Sequence, residues 1–178
     1  VGFRLLFFVC ALSLIAACAS NPPGITRQVS LRVLTTNDFH GNLAPRTSGG
    51  RMVGGAATLA AYFAREAAAF DGPTIVLDGG DIMQGTPVTN LTRGRSVIEY
   101  YNAAGYDGAA IGNHEFDFGT AVLRERMAQA QFPMLAANIL VAGSDTTPSW
   151  VRGTAIIERQ GVRIGLIGLI TEETRVAN

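Results

Sequence analysis

Lysine is absent from this chain: all 14 basic residues are arginines, and 14 acidic residues balance them to a net charge of zero. Without an excess of positive charge there is no electrostatic footprint for a phosphate backbone, which excludes nucleic acid polymers as expected partners. Cysteine is scarce as well, and one of the two, Cys10, falls in an apolar leader, so the domain that follows has no disulfide framework. Only two histidines occur, His40 and His114. No uninterrupted apolar run reaches the roughly 20 residues of a comfortable transmembrane helix. What is plentiful is small and aliphatic: 48% of the 178 residues are hydrophobic and 21 are glycine, enough for one domain with a real core. The arginine-only, alanine- and glycine-rich composition reads as the bias of a GC-rich genome more than as function.

Residues 1–18 read as a signal peptide. Arg4 precedes the run Leu5 to Ala17, the right length for a signal core, which implies export to the periplasm or cell envelope. Its end, Ile15-Ala16-Ala17-Cys18, is similar to a bacterial lipobox, in which the cysteine is lipidated and becomes the mature amino terminus. Cys18 is therefore the expected lipidation site and the membrane the expected partner through it; an ordinary cleaved signal and an uncleaved anchor are the alternatives. Residues 19–29 read as a tether and 30–178 as one domain.

Beyond the tether, apolar strand-like runs alternate with helical ones and no internal repeat is present. Strands are expected at Val29–Thr36, Thr74–Leu77, Gly108–Ile111 and Phe132–Asn138. Helices are expected at Gly54–Phe70, at Ser96–Ala104 with Ser96 as cap, and at Thr120–Ala130 with Thr120 as cap. Ala155–Arg159 and Val162–Ile170, joined at Gln160-Gly161, have the pattern of an antiparallel hairpin. This order describes an α/β sheet whose chemistry lies at the carboxyl ends of its strands.

Three polar turns follow three of those strands: Asn37-Asp38-Phe39-His40-Gly41, Asp78-Gly79-Gly80-Asp81 and Gly112-Asn113-His114-Glu115-Phe116-Asp117. They contain both histidines, beside oxygen donors of the kind divalent cations take. Asp38 and His40 are two apart, so on an extended segment their side chains share a face and can grip one cation. A carboxylate of the second turn can bridge two cations about 3.5–4 Å apart; on spacing alone Asp78 serves as well as Asp81. Asn113 offers a neutral carbonyl oxygen. His114 faces elsewhere than Asn113 and is placed to meet a substrate, with Asp117 orienting its ring. Glu115, Phe116 and Phe118 read as packing or solvent positions, and Thr86, Asn90, Arg93 and Arg95 as a solvated loop face.

These turns, with Gln84-Gly85-Thr86-Pro87 and the later segments Phe132 to Ile139 and Val162 to Gly168, resemble the 5'-nucleotidase and 2',3'-cyclic phosphodiesterase branch of the calcineurin-like metallophosphoesterases. The resemblance covers about residue 30 to the end. It implies the four-layer α/β/β/α sandwich with mixed sheets, here the amino-terminal portion and incomplete. It implies two divalent metal ions, with Zn, Mn, Co, Mg and Ca not distinguished. Asp38 and His40 correspond to ligands of the first metal, Asp81 to the bridge, Asn113 to a ligand of the second, and His114 with Asp117 to the catalytic pair. The implied activity is hydrolysis of extracytoplasmic nucleotides by a metal-activated water.

The chain departs from that pattern at Asn178, short of the further histidines and the base-holding carboxyl-terminal domain of the family. Three protein groups remain for the first metal and two for the second, so at most one ion is expected to bind well. The resulting expectation is an amino-terminal fragment with little activity alone and a possible missing carboxyl-terminal half. The alternatives are an inactive lipid-anchored binding module and a same-superfamily hydrolase of another substrate, a sugar nucleotide or a sulfur compound.

Overall fold

Runs of β-branched and aliphatic residues that close on a polar turn become parallel strands here, because each is followed by a helix long enough to carry the chain back across the sheet. The computed structural model describes residues 28–172 and Thr174, so the signal-peptide and Cys18 readings lie outside the described residues. The first half contains β1 (Arg32–Thr36), a hairpin of β2 (Arg46–Ser48) and β3 (Arg51–Val53), α1 (Ala56–Ala68) and β4 (Thr74–Asp78). Then come α2 (Pro87–Leu91), α3 (Arg95–Ala104), β5 (Gly108–Ala110), a 3-10 turn (Asn113–Phe116), α4 (Thr120–Gln129) and β6 (Met134–Leu135). The hairpin β7 (Thr154–Arg159) and β8 (Val162–Ile167) follows.

The main sheet has the order β1-β4-β5-β6 and is parallel throughout. Its register sets Thr36 opposite Asp78 and Asp78 opposite Ala109, so β1, β4 and β5 end along one rim. One face is covered by helices: Phe63 of α1, Val97, Ile98 and Tyr101 of α3 and Leu123 of α4 pack with Val76, Ala109 and Met134. The other face receives the second hairpin. A Cβ on Gly108 would lie 2.9 Å from Leu166 Cδ1 and 3.4 Å from Leu77 Cδ2, so glycine is what lets β8 approach the sheet. Arg159 of β7 pairs with the buried Asp107, whose other oxygen accepts the Val76 N–H at 2.8 Å. Gln160 and Gly161 have φ of 49° and 75°, the left-handed pair that a two-residue turn between twisted strands requires.

Two expected helix caps and one expected strand need correction, and two elements are unanticipated. The helices at 95 and 120 are preceded by Gly94 and Gly119, with φ of 79° and 83°, rather than capped by Ser96 and Thr120. Only glycine enters a helix cheaply from that conformation. The expected strand Phe132–Asn138 shortens to two residues, because the Ala136 and Ala137 N–H groups bond Arg152 and Gly168 and Asn138 bonds Ile170 in both directions. The short hairpin β2–β3 is unanticipated; its Arg-Thr-Ser and Arg-Met-Val strands carry no apolar alternation and are exposed. So is α2, which begins at Pro87, in the first-turn position where a missing N–H costs nothing.

On the outward side of β7–β8, Ile156 is 64% exposed, Ile167 73% and Leu169 just beyond 64%, a concentration of apolar surface that favours association. The chain is expected to self-associate at micromolar concentration, and the pair Ile156→Thr, Ile167→Thr to shift it toward monomer without loss of helical circular dichroism. Size-exclusion chromatography with light scattering checks this; a sharply monomeric parent contradicts it.

Candidate metal centre

The three polar turns leave the same rim and are laced together through the backbone. Gly79 N–H donates to Thr36 O at 2.8 Å, and Asp38, His40 and Gly41 donate to Gly80, Asp81 and Ile82 carbonyls, each at 3.0 Å. Asp38, His40 and Asp81 have φ of 51°, 47° and 60°, three of the five non-glycine residues in the left-handed region among the described residues. Such conformations cost on the order of 1–3 kcal/mol each and persist where the surroundings over-determine them. Asp38 and His40 therefore do not share a face of an extended segment, as spacing suggests. A left-handed turn brings them together instead, with Asp38 Oδ1 3.7 Å from His40 Nε2.

Both imidazoles are oriented by hydrogen bonds at Nδ1. His40 Nδ1–H donates to Gln84 O at 2.8 Å, and His114 Nδ1–H to Asp117 Oδ2 at 2.8 Å. Each ring thus keeps Nε2 as a free donor atom, the arrangement usual for metal-ligating histidine. The rings lie 5.1 Å apart at 68°. Potential ligand atoms of His40, Asp81 and His114 all fall within 4.8 Å of one another. Two imidazole nitrogens and a carboxylate are a donor set that fits a borderline divalent cation such as zinc. Asp81 also accepts the His114 N–H at Oδ1, 2.9 Å away, which ties the second turn to the third. Asn113, half-buried, opens the 3-10 turn between His114 and Gly112, where a Cβ would sit 2.3 Å from Asp81 Oδ1. The hydrogen bond to Asp117 raises the His114 pKa above its usual value, opposed by partial desolvation.

Asp78, equivalent to Asp81 on spacing, is turned into the core. It accepts hydrogen bonds from Gly80 N–H at 2.7 Å, Tyr101 OH at 2.8 Å and the Thr36 hydroxyl, and burial pushes its carboxyl pKa up. Glu115, expected to be a packing or solvent position, is a buried hydrogen-bond acceptor with no exposed surface. Its carboxylate receives four backbone N–H groups, from Gly112 at 2.6 Å, Asp81 and Ile82 at 2.8 Å and Met83 at 3.3 Å. Burial raises its pKa while those donors oppose the rise. The available signal was its place three residues after Gly112, from which a glutamate can reach back to the amide at the start of a helical turn. Thr86 and Asn90, expected on a solvated face, brace the site: Thr86 Oγ1 donates to Gly41 O at 2.9 Å and Asn90 Oδ1 accepts Gly85 N–H at 3.0 Å.

The His114 ring protons of the metal-free chain can be followed by NMR, since the chain has only two histidines. His114 is expected to titrate above the usual value of about 6.5 and to fall back toward it in Asp117→Asn, because the charge-assisted bond favours the protonated ring. The interaction is present below that value and lost as pH rises through the folded pKa. Identical His114 curves in parent and variant would contradict the pairing.

No protein-family model matches the chain. It is 37% identical over 144 residues to the protein UshA of Yersinia enterocolitica, a match that covers 81% of this chain and 26% of that protein. The crystal structure of a 5'-nucleotidase precursor from Thermus thermophilus superposes with a TM-score of 0.72 at 34% identity, over 82% of this chain and 29% of that one. The calcineurin-like phosphoesterase YfkN of Bacillus subtilis gives a TM-score of 0.70 at 24% identity, over 83% and 50%, a likeness of fold. The chain thus spans about a quarter to a third of the length of the curated relatives it matches. Its homologues are 5'-nucleotidases, matched over their amino-terminal part, and its fold is that of the calcineurin-like phosphoesterases.

Proposed function

We propose that this chain supplies the amino-terminal share of the metal centre of an exported phosphoesterase that hydrolyses nucleotides. The observation that carries this reading is the convergence of His40, Asp81 and His114 within 4.8 Å of one another, with both rings oriented so that Nε2 is free. The 5'-nucleotidase relatives support the substrate class, and the leader at Leu5 to Ala17, with Cys18 behind it, supports export and a lipid anchor.

In this reading Asp38, His40 and Asp81 would hold one cation and Asp81 with Asn113 would contribute to a second; His114, whose ring nitrogen falls in the same cluster, is left to the substrate, as the resemblance of the Gly112-Asn113-His114 turn implies. A bound divalent cation supplies Lewis acidity toward phosphoryl oxygen and toward water. His114 stands beside that position with Nδ1–H fixed on Asp117, so its protonated form presents Nε2–H to a substrate oxygen. The bond to Asp117 favours that protonated form, which meets charge developing in the transition state or on the leaving oxygen. Asp117 orients the ring and stabilises its charge. The shared rim of β1, β4 and β5 supplies the rigidity that a two-cation clamp needs.

Two protein donors, one neutral and one shared, are few for the second ion, so this chain is expected to take up about one Mn²⁺ or Zn²⁺ tightly. Isothermal titration checks the stoichiometry. Asp81→Ala is expected to weaken uptake at least about tenfold, since a ligand is worth more than the 10–100-fold of a supporting group. No measurable uptake, or an Asp81→Ala variant that binds like the parent, would sink the reading.

A further inference from the structure

We propose that Glu115 is the positioning residue of this centre: its buried carboxylate locks the second polar turn onto the third and so holds Asp81 beside His40 and His114. The inference rests on the metal-centre reading above and deepens it.

The four N–H groups that meet Glu115 come from two different stretches of chain. Oε2 accepts from Gly112 and Asp81, and Oε1 from Ile82 and Met83. Gly112 lies at the start of the turn that contains His114, and Asp81 to Met83 form the turn after β4. One side chain therefore spans the two segments that must keep a fixed separation if their side chains are to share a cation. Asp81 is the focus of this bracing. Its N–H goes to Glu115, its carbonyl accepts the His40 N–H at 3.0 Å, and its Oδ1 accepts the His114 N–H at 2.9 Å. With φ of 60° it would relax to another conformation if released.

A packing role alone does not call for a carboxylate, because a fully buried acid is costly where an apolar side chain would fill the same volume. Four converging donors do call for one. The nitrogen of an amide could not accept them, and a neutral apolar side chain would leave them unpaired. Glu115 touches no reacting atom; it acts through Asp81.

The test measures Mn²⁺ affinity of the full chain, prepared metal-free, by isothermal titration for the parent, Glu115→Gln and Asp107→Asn, with urea melts of each. Asp107 is the control: it too is a buried carboxylate accepting a backbone N–H, from Val76 at 2.8 Å, but it lies at the opposite end of β5. Glu115→Gln is expected to weaken Mn²⁺ binding about 10–100-fold, while Asp107→Asn lowers stability and leaves affinity within about threefold of the parent. A Gln variant that binds as the parent does, or two variants that lose affinity alike, would overturn the proposal. Should the Gln variant fail to fold, Glu115→Asp, one methylene too short to reach both turns, is held to the same thresholds. A parent that binds no Mn²⁺ removes the metal-centre reading itself, and this inference with it, an outcome distinct from a variant that matches a binding parent.

Discussion

The parallel register that sets Thr36 against Asp78 and Asp78 against Ala109 is the constraint on which the rest of the site depends. Side chains in a strand alternate faces with a period of two, so a slip by one residue would turn Asp78 out of the core and carry both neighbouring turns out of alignment. Three turns about forty residues apart in sequence meet only because three strands end on the same line. Convergence at a strand-end rim is the general solution of open α/β sheets, and it explains why short polar turns with little structure of their own can share one site.

Beneath that rim lies a hydrogen-bonded floor. Asp78, at the end of β4, accepts from Thr36 at the end of β1 and from Tyr101 in α3, while Thr36 also meets the Tyr106 hydroxyl at 2.9 Å. Tyr101 stacks on Tyr106 with ring centroids 3.8 Å apart. Burial pushes the Tyr106 hydroxyl up to about 12 and Tyr101 higher still, so both phenols stay protonated and keep donating through any ordinary working pH. Above the floor, left-handed backbone at Asp38, His40 and Asp81 aims side chains where relaxed backbone would not. The interstrand lacing and the Glu115 carboxylate counter that strain. Site geometry is thus an expense of the turns met by satisfied polar groups around them.

The alternating strand–helix order, the rim and the membership of all three turns were legible in the sequence, because hydrophobic period and glycine or aspartate punctuation are local signals. The pairing of His114 with Asp117 was legible for the same reason, being three residues apart on one turn. How Asp38 and His40 meet was not. Spacing of two implies a shared face only on extended chain, and the left-handed turn is imposed by bonds to Gly80 and Asp81, forty residues away. The choice of Asp81 over Asp78 came from the family resemblance and not from spacing; its physical ground, Tyr101 and Thr36 waiting on one side of β4, is visible only in the tertiary structure. Spacing signalled only the reach of Glu115 back to Gly112; its other three partners are amides of a turn some thirty residues away, which no residue type announces. The two-residue β6 was overestimated because apolar composition does not reveal that Arg152 and Gly168 would claim its amides.

The central claim is that His40, Asp81 and their neighbours surround one cation-sized position. The most direct measurement is the anomalous difference map of a crystal of this chain soaked in Zn²⁺. The account predicts a peak within about 2.0–2.2 Å of His40 Nε2 and an Asp81 carboxylate oxygen, the range for zinc–nitrogen and zinc–carboxylate bonds. A peak elsewhere, or a rim that stays empty at saturating zinc, would contradict it.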